Sequence, residues 1–567
     1  MRDSAKPNTM TGAEAMVRML EAHGVRHIFG LCGDTTLPFY DALYRLDHQI
    51  EHILTRDERC AAYMADGYAR VSQKVGVCEG PSGGGATYIL PGVVEANESS
   101  VPILAVTSDV GTRSKGHYPL TELDQEGLMR PLTKFSMVIQ HADAIPDAVR
   151  TAFRKMTTGR PGAAHLGLPL DVQRGEANPD DIWADPAHRH YPAHPFGPDQ
   201  AAVEAALDAI LSARFPVVIC GGGIVLAGGE AEFGRFVQAL DIAVATTISG
   251  QGSIPETHTN CVGVVGSNGG VRATRELVQA ADLVVFIGCR AGSVTTELWR
   301  YPAKGTRIVH IDNDPEVIGA SYRTEVVVVS DARLALEALN RALAARGPQQ
   351  GFGGAKAVAP LKARKWAAFH GLSESAERPI RPERTIAALR AVLDDEAIVV
   401  GDPGTPCPYI SAYYELRTTG RKLFSNRAHG ALGYALSAAM GACVGAPGKK
   451  VVALMGDGSF GFTCGELETV VRKTMPITFI VFSNAVYGWI KAGQKTGFGE
   501  RYYSVDFNPT DHRAVAEAFG VKAWRVEDPA RLEGVLRESV NHPGPTLVDV
   551  ISQPLNEAAA PVSEWIA

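Results

Sequence analysis

Short apolar runs alternate with amphipathic stretches along most of the chain, and this rhythm predicts strands alternating with helices. Apolar runs such as Val25–Gly30 and Ile103–Ser108 are typical of buried strands. Stretches such as Gly12–His23 place apolar residues at helical spacing and predict helices between the strands. Because the strands recur at short intervals with helices between them, the pattern predicts parallel sheets covered on both faces.

Two stretches without periodicity divide this pattern into three parts. Residues at about 171–198 are rich in Pro, Asp and His, and residues at about 346–375 begin with a Gly-rich run, so both are predicted to be linkers. The sequence therefore predicts an α/β chain of three doubly wound parallel-sheet domains, 10–175, 196–345 and 378–554. The tail 555–567 is apolar enough to dock on a surface. The first and third domains share one strand–helix rhythm, which indicates related folds.

Composition and charge exclude several classes of protein. The 567 residues are 45% apolar and 21% charged, and the net charge of −7 leaves no basic surface for nucleic acid. No run approaches 18 apolar residues, and the first ten residues hold no apolar signal segment, so we expect neither a membrane span nor secretion. Nine scattered cysteines without CxxC spacing argue against a zinc site and a disulfide framework, and fit a reducing cytoplasm.

The stretch 451–490 carries the clearest chemistry. It predicts a strand at Val451–Met455, a tight turn at Gly456–Gly458, a helix at about Cys464–Lys473 and a strand at Ile477–Phe482. In parallel sheets, ligands bind where strands end. Asp457 ends the first strand.

Asn484 ends the second strand of the same crossover. A carboxylate and an amide oxygen suit Mg²⁺, which also takes phosphate oxygens of a substrate. The glycines allow a phosphate to approach the backbone closely, and Ser459 opens the next segment with free N–H groups. The alternative interpretation is an ordinary turn.

This stretch resembles the diphosphate-and-metal signature of thiamine-diphosphate enzymes, in which GDG is followed after about 25 residues by Asn. Here 25 residues separate Gly458 from Asn484. The resemblance implies that Asp457, Asn484 and the main-chain oxygen of Val486 bind Mg²⁺. It also implies a cofactor-binding set, which comprises Gly404, Thr405, Gly430, Leu432, Gly456, Asp457, Gly458, Ser459, Asn484, Val486, Tyr487 and Gly488.

Two loops of the third domain belong to that set. Gly401–Pro406 resembles the family loop that donates backbone N–H groups to the diphosphate, although a plain Pro/Gly turn explains it too. Ala428–Ala435 resembles the segment in which a glycine carbonyl accepts a hydrogen bond from the 4′-amine. This assigns Gly430 to that bond and Leu432 to the apolar side chain that holds the cofactor bent, with a core leucine as the alternative.

A second resemblance lies in the first domain. Residues 56–70 resemble the family's activating segment, in which a Glu begins a helix that ends in A-D/E-G-Y-A-R. Glu58 matches that Glu, which polarises the aminopyrimidine ring, and we expect burial to raise its pKa. The alternative is an acid favoured by the helix dipole. Asp57 departs from the His of many relatives.

The three-domain layout resembles the acetolactate synthase and 2-oxo-acid decarboxylase branch of this family. The resemblance implies decarboxylation of a 2-oxo acid, ligation of the product to a second carbonyl, or both. It also implies a homodimer at least, with a homotetramer expected, in which the first domain of one subunit meets the third of another. A synthase Trp that helps to select the second oxo acid falls at Gly493 here.

Positions that depart from the family, or lie near such departures, are the candidates for substrate contact. A family Gln is replaced at Thr121, a Gly at Asp34 and an Asn at Tyr88. Lys491 suits an anionic group. The full candidate set is Asp34, Tyr88, His117, Thr121, Trp489 and Lys491. Surface or core positions are the alternative for each.

The central domain has weaker signals for a nucleotide. Gly221–Gly223 follows one predicted strand, and Asp312 ends another, as in domains that bind ribose hydroxyls. Relatives bind FAD, ADP or nothing there.

Other functions stay open at this point. They are an acyl-CoA lyase or decarboxylase of the same fold, a C–C bond hydrolase or acetyltransferase of the family, and a non-catalytic relative. An NAD-dependent dehydrogenase is disfavoured, because no G-x-G-x-x-G joins a strand to a helix.

Overall fold

The computed structural model describes residues 9–565, and within them lie three six-stranded sheets whose neighbouring strands all run parallel. These residues form two compact units. The first unit contains the residues up to His194 together with 426–431 and 437–447. The second contains the remaining described residues.

The first sheet belongs to the first unit. A separate two-residue antiparallel pair in this unit joins β1 (Met10–Thr11) to β8 (Glu176–Ala177). The six strands of the sheet are β2 (His27–Gly30), β3 (Glu51–Leu54), β4 (Gly76–Gly80), β5 (Ile103–Asp109), β6 (Phe135–Val138) and β7 (Ala164–Pro169). The helices are α1 (Gly12–Ala22), α2 (Leu37–Arg45), α3 (Glu58–Ser72), α4 (Gly84–Tyr88), α5 (Leu90–Glu98), α6 (Gln125–Met129), α7 (Ile145–Thr157) and α8 (Leu170–Arg174).

Local sequence explains where these helices begin. Thr11 caps α1 by accepting the Glu14 N–H at 3.2 Å, while Glu14 accepts the Thr11 N–H at 2.8 Å. Asp57 caps α3 through the Arg59 N–H. The apolar faces of α1 and α7 then pack against the sheet in one buried core that includes Met16 and Phe153.

The second sheet lies in the second unit, between two buried apolar layers. Its strands are β9 (Pro216–Cys220), β10 (Ala243–Thr246), β11 (Cys261–Val264), β12 (Leu283–Ile287), β13 (Arg307–Asp312) and β14 (Val326–Val329). Its helices are α9 (Gln200–Leu211), α10 (Gly223–Leu226), α11 (Glu230–Leu240), α12 (Arg272–Ala280), α13 (Ser293–Thr296), α14 (Ala332–Ala345) and α15 (Gly354–Ser373).

The third sheet also lies in the second unit. Its strands are β15 (Ile398–Gly401), β16 (Leu423–Ser425), β17 (Val451–Gly456), β18 (Ile477–Ser483), β19 (Lys522–Val526) and β20 (Thr546–Ile551). The remaining helices are α16 (Pro382–Val392), α17 (Pro406–Tyr413), α18 (Tyr434–Gly445), α19 (Asp457–Thr463), α20 (Leu467–Arg472), α21 (Gly488–Gly497), α22 (His512–Ala518) and α23 (Pro529–Asn541).

The strand orders confirm that the first and third sheets are related. The first sheet runs β3-β2-β4-β5-β7-β6 and the third β16-β15-β17-β18-β20-β19, so both have the order 2-1-3-4-6-5 when strands are counted within each sheet. The central sheet runs β11-β10-β9-β12-β13-β14, which is the order 3-2-1-4-5-6 of many dinucleotide-binding domains. The predicted fold class is therefore confirmed, with a distinct middle sheet.

Two predictions about local structure are wrong. The predicted turn Gly456–Gly458 is the start of a helix, because Gly456 caps α19 and Asp457 is its first residue, where an acid is favoured. The predicted linker at about 346–375 contains the 20-residue helix α15. This helix has no amphipathic pattern but is rich in Ala and Lys, which favour helices.

The predicted linker at about 171–198 is mostly irregular, although it includes most of α8 and β8. The tail docks as predicted over residues 555–565: Leu555 is buried, and Ser563 donates its N–H to the Ser267 carbonyl at 2.9 Å. All nine cysteines are free thiols. Between residues 9 and 565, none of the helices combines the length and the apolar character needed to span a bilayer.

Candidate functional site

Asp457 joins the ends of two neighbouring strands. It follows β17, and its buried carboxylate accepts the N–H groups of Asn484 at 2.8 Å and Ala485 at 2.6 Å, just beyond β18. A third N–H, from Gly458, lies 2.9 Å away. Burial raises the pKa of this carboxyl, while the three N–H groups act in the opposite direction. The contacts hold the two strand ends at one point of the sheet edge.

Asn484 leaves an oxygen free at that point. Its Nδ2 lies 3.5 Å from Thr405 Oγ1, and its Oδ1 accepts no hydrogen bond from residues 9–565. The next residue, Ala485, has a φ of +56°, a left-handed conformation that is uncommon outside glycine. It turns the chain so that buried Val486 pairs with Asp506 in a single bridge.

The side-chain oxygen atoms of Asp457 and Asn484 fit the coordination chemistry of Mg²⁺ bound to a diphosphate. Asp457 accepts three N–H groups with four lone-pair directions, which leaves one direction free beside the free amide oxygen of Asn484. Hard oxygen donors are the ligands that Mg²⁺ prefers. A Cβ added at Gly404 or Gly456 would meet no atom within 4 Å, so open space borders both backbones.

Gly458 has a different reason to be glycine. A Cβ there would lie 2.7 Å from the Tyr487 ring, so the glycine lets that ring pack against the start of α19. Tyr487 in turn lies 5.2 Å from the Phe507 ring, centroid to centroid. The first turn of α19 is thus packed against the segment that follows Asn484.

Ser459 and Thr463 of α19 fix the loop before α18. Ser459 Oγ accepts the Gly433 N–H at 2.8 Å, and Thr463 Oγ1 donates to the Gly433 carbonyl at 3.2 Å. Gly433 has a φ of +89°, which suits glycine alone. Leu432, just before it, is half-buried.

Asp402 was not predicted as a site residue. This fully buried carboxylate follows β15 and accepts the N–H groups of Tyr434 and Ala435, each at 3.2 Å, at the start of α18. Burial raises its pKa to about 7. It fixes a helix start where β15 ends, and the signals for it in the sequence were its position after a buried strand and its place in the loop Gly401–Pro406.

A polar network, most of it buried, holds Ser483, the residue before Asn484. His512 Nδ1 lies 2.9 Å from Ser483 Oγ, and Ser483 in turn donates to Asp549. Arg525 contacts the other oxygen of Asp549 at 3.2 Å. Since Ser483 directly precedes Asn484, this network restricts the backbone at Asn484.

Glu58 lies in the first unit and is bounded by glycines. It is the first residue of α3 and is 6% exposed. A Cβ added at Gly80 would lie 3.2 Å from its Cγ, and one at Gly85 would lie 3.2 Å from its Oε1. Burial raises the pKa of Glu58, and the charges of Asp57 and Glu79 act in the same direction.

A second buried carboxyl near Glu58 was also missed. Glu79 on β4 is 1% exposed, accepts a hydrogen bond from Tyr40, and lies 3.2 Å from His52 Nε2. Gly30 makes room for it, because a Cβ there would lie 2.1 Å from Glu79 Oε1. Glu79 lies inside an otherwise apolar strand, and that was the signal available in the sequence.

A third missed residue, Glu95, holds the loop that carries Gly430. This buried carboxylate of α5 accepts the N–H groups of Arg427 at 3.1 Å, Ala428 at 3.2 Å and His429 at 2.7 Å. Arg70 balances its charge at 3.3 Å. Gly430 follows with a φ of +72° and open space where a Cβ would stand.

The three hydrogen bonds to Glu95 attach residues 426–431 to the first unit, although these residues belong to the third domain by sequence.

A chain of hydroxyl groups connects two of the predicted substrate loops. Thr35 Oγ1 lies 2.6 Å from Ser108 Oγ and 3.0 Å from Ser82 Oγ, and Ser82 Oγ lies 2.7 Å from Thr121 Oγ1. Thr121 has a φ of +71°. Asp34 is exposed beside Thr35, whose N–H it accepts at 2.9 Å. The structure therefore brings the loops of Asp34 and Thr121 together.

Tyr88 and His117 are exposed in the same unit. Tyr88 is 62% exposed at the end of α4. His117 lies in the loop between β5 and α6, where its N–H donates to the Ser114 carbonyl at 3.1 Å. Neither side chain is fixed by a hydrogen bond to another described residue.

Trp489 and Lys491 on α21 already have partners within the second unit. The Trp489 indole packs on Trp565 of the tail at 5.0 Å between centroids and donates to its carbonyl at 3.0 Å. Lys491 forms an ion pair with Asp506 at 2.6 Å and lies over the Tyr502 ring. These contacts account for both residues without a substrate.

The glycines of the central domain also have a packing role. A Cβ at Gly221 would lie 2.1 Å from the Gly288 carbonyl oxygen, and one at Gly223 would lie 2.6 Å from Gly288 Cα. Close approach of two strand ends therefore requires both glycines.

Comparison with known families finds a match to one described domain within each of the three sheet-forming parts of the chain. Residues 10–128 match "Thiamine pyrophosphate enzyme, N-terminal TPP binding domain". Residues 203–339 match the central domain of the same enzymes, and residues 402–550 match their C-terminal TPP binding domain.

Curated relatives cover almost the whole chain. A probable acetolactate synthase large subunit of Methanococcus aeolicus is 34% identical over 563 residues, which is 96% of this chain and 92% of the relative. The acetolactate synthase large subunit of Corynebacterium glutamicum is 33% identical over 92% of this chain and 83% of its own length. The acetolactate synthase isozyme 3 large subunit of Escherichia coli is 30% identical over 94% of this chain and 92% of its own length.

Proposed function

The chain belongs to the thiamine-pyrophosphate enzymes related to the acetolactate synthase large subunit, and from this premise we propose that it uses thiamine diphosphate and Mg²⁺ to decarboxylate a 2-oxo acid and ligate the product to a second carbonyl. The observation that carries the cofactor assignment is the Asp457 carboxylate, which draws Asn484 and Ala485 to the end of its own strand. This is the arrangement expected of a metal–diphosphate anchor.

Thiamine diphosphate, when bound, supplies the nucleophilic carbon and takes up the electrons released when CO₂ leaves. Asp457, Asn484 and the Val486 carbonyl would hold Mg²⁺, and the open backbone at Gly404 would face the diphosphate. Glu58 would keep a proton at the aminopyrimidine N1′, since its raised pKa favours the carboxylic acid.

Glu95 fixes the loop just before Gly430. The Gly430 carbonyl would accept a hydrogen bond from the 4′-amine. The Leu432 side chain would supply an apolar contact to the cofactor.

A substrate screen tests the proposal. The purified protein, with thiamine diphosphate and Mg²⁺, is given pyruvate, glyoxylate and larger 2-oxo acids, and both CO₂ and carbon–carbon products are measured. We expect CO₂ and a 2-hydroxy-3-oxo acid from at least one donor, with Glu58→Gln as the inactive control. CO₂ with only an aldehyde would replace ligation by simple decarboxylation, and no CO₂ from any donor would contradict the proposal.

We propose that the working enzyme is at least a homodimer, with a homotetramer as the expected assembly. The family resemblance supports this, because it implies that Glu58 of one subunit and Asp457 of another serve the same cofactor. Sedimentation of the purified protein measures the assembly. A monomer that retains full activity would contradict this.

We also propose a nucleotide, FAD or ADP, in the central domain. Its 3-2-1-4-5-6 strand order supports this, with Gly221–Gly223 after β9 and Asp312 at the end of β13. An absorption spectrum and chromatography of the supernatant after denaturation will show whether a flavin or adenine nucleotide is released. Release of neither would remove this part of the proposal.

A further inference from the structure

Three side chains of the segment before the central domain converge outside the cofactor machinery. Ligand atoms of Asp185, His188 and His194 all lie within 4.8 Å of one another. The two imidazole rings are 5.2 Å apart between centroids and almost perpendicular, at 89°. Imidazole nitrogens with one carboxylate oxygen are the ligand set of many zinc sites. The expectation that the chain has no zinc site was drawn from cysteine spacing alone, and this cluster contains no cysteine.

The buried member of the cluster has its tautomer set by the fold. His188 is 7% exposed, and its Nδ1 lies 2.8 Å from Thr157 Oγ1. That hydroxyl already gives its proton to the Phe153 carbonyl at 2.8 Å, so it accepts from His188 Nδ1–H. Nε2 therefore carries the lone pair, and it forms no hydrogen bond with residues 9–565. Histidines that bind metals commonly donate their other N–H in this way.

The two exposed members are free to close on a cation. Asp185 accepts the Ala187 N–H through Oδ1 at 2.9 Å and forms no ion pair within the described residues. His194 has only the ring contact with His188 among those residues. Ligands of one zinc ion lie closer together than 4.8 Å, and exposed side chains can make that adjustment at little cost.

The location also favours a positive charge. Thr157 is the last residue of α7, and its carbonyl accepts the Ala193 N–H at 2.9 Å, so both histidine segments are attached to one helix C-terminus. Helix C-termini carry partial negative charge. The positive charge of the nearby Arg154 acts against a cation here.

We propose that Asp185, His188 and His194 form a binding site for a divalent cation of the zinc type, which attaches residues 185–194 to the end of α7. The site has three protein ligands, with water in the remaining position. Because a cation held here binds the folded state, it also stabilises the chain against unfolding by mass action.

The test is a calorimetric titration of the holoenzyme with ZnCl₂, with thiamine diphosphate and Mg²⁺ saturating so that the proposed magnesium site is filled. We expect one zinc ion per chain. Two exposed substitutions probe it: His194→Ala removes a ligand, and Asp185→Asn removes the charge while an Asn still caps the following turn. Each is expected to weaken zinc binding at least about tenfold.

His190→Ala is the matched control, since His190 is an exposed histidine of the same segment outside the cluster. Its zinc affinity should equal that of the unchanged protein. Cobalt substitution adds a second readout, and its spectrum should lack a thiolate charge-transfer band. Equal affinities for all variants, no stoichiometric zinc, or a thiolate band would each overturn the proposal.

Discussion

Glu58 and Asp457 are two buried carboxyls with opposite surroundings. Asp457 receives three backbone N–H groups, which favour its ionised form. Glu58 is bounded by Gly80 and Gly85 and faces further negative charge from Asp57 and Glu79. Burial raises the pKa of both carboxyls, and the two differ in the groups around them. Three N–H groups favour charge on Asp457, whereas two neighbouring negative charges favour a proton on Glu58.

The largest expected effect comes from removing the proton-holding carboxyl. Glu58→Gln keeps the shape but cannot exchange a proton, and general acid–base groups contribute about 10²–10⁴-fold to rate. We expect kcat for CO₂ release to fall by that factor. Glu126→Gln, whose surface side chain pairs with Arg130, is the control and should keep full activity. A loss below tenfold would remove the distinction between the two carboxyls.

Asp457→Asn removes the charge-holding carboxyl. Partners outside the first coordination sphere already contribute about 10–100-fold to metal affinity, so replacing a charged ligand with a neutral amide should weaken Mg²⁺-dependent cofactor binding about 100-fold or more. Titration of thiamine diphosphate at fixed Mg²⁺ measures this. As a control, Asp511→Asn changes a carboxylate that caps α22 and pairs with Arg513, and this variant should bind the cofactor normally. Unchanged binding in Asp457→Asn would contradict the anchor.

Glu95→Gln tests whether the Gly430 loop depends on its carboxylate. The amide turns an acceptor into a donor against N–H groups, so we expect a loss of about 1–3 kcal/mol in stability. With the loop displaced, kcat should fall about tenfold with little change in KM. The exposed Glu98→Gln on the same helix is the control. If kcat is retained while the protein is destabilised, the residue is structural only.

The smallest expected effect is a shift in pH dependence. The charge of Glu79 raises the pKa of Glu58, so Glu79→Gln should lower it. Activity that needs the protonated acid is lost as pH rises through that pKa, and the basic limb of the pH–rate profile should move to lower pH. A shift to higher pH would show that the two groups do not interact as described.

The raised pKa of Glu58 also makes the stability of the fold depend on pH. A carboxyl whose folded pKa is raised contributes stability at low pH and loses it as pH rises through the folded pKa. In the absence of cofactor, the Glu58→Gln protein should therefore lose less stability than the unchanged protein as the pH rises. Thermal unfolding between pH 4 and 8 measures this.

The sequence allowed prediction of features that follow from short patterns. Strand ends such as those before Asp457 and Asn484 were predictable, because buried runs and the polar residues after them are local. The helix at Gly354–Ser373 was not, since it lacks amphipathic periodicity and contains Pro360. The start of α19 at Asp457 was misread as a turn, because its glycines are typical of turns.

Long-range polar contacts were beyond prediction. Glu95 meets His429 across 334 positions, and no local pattern indicates such a pair. Asp402 and Glu79 differed from their apolar strands only by charge, which does not reveal a partner. Residues that lie in family motifs could therefore be proposed from the sequence, whereas the buried carboxylates that contact their loops could not.

The most direct test of the central claim is the exchange of the C2 proton of bound thiamine diphosphate for deuterium, followed by NMR after rapid quenching. At saturating cofactor and Mg²⁺, the account predicts that Glu58→Gln binds the cofactor but exchanges this proton about 10²–10⁴-fold more slowly than the unchanged enzyme. Exchange at the unchanged rate in Glu58→Gln, with the cofactor fully bound, would contradict it.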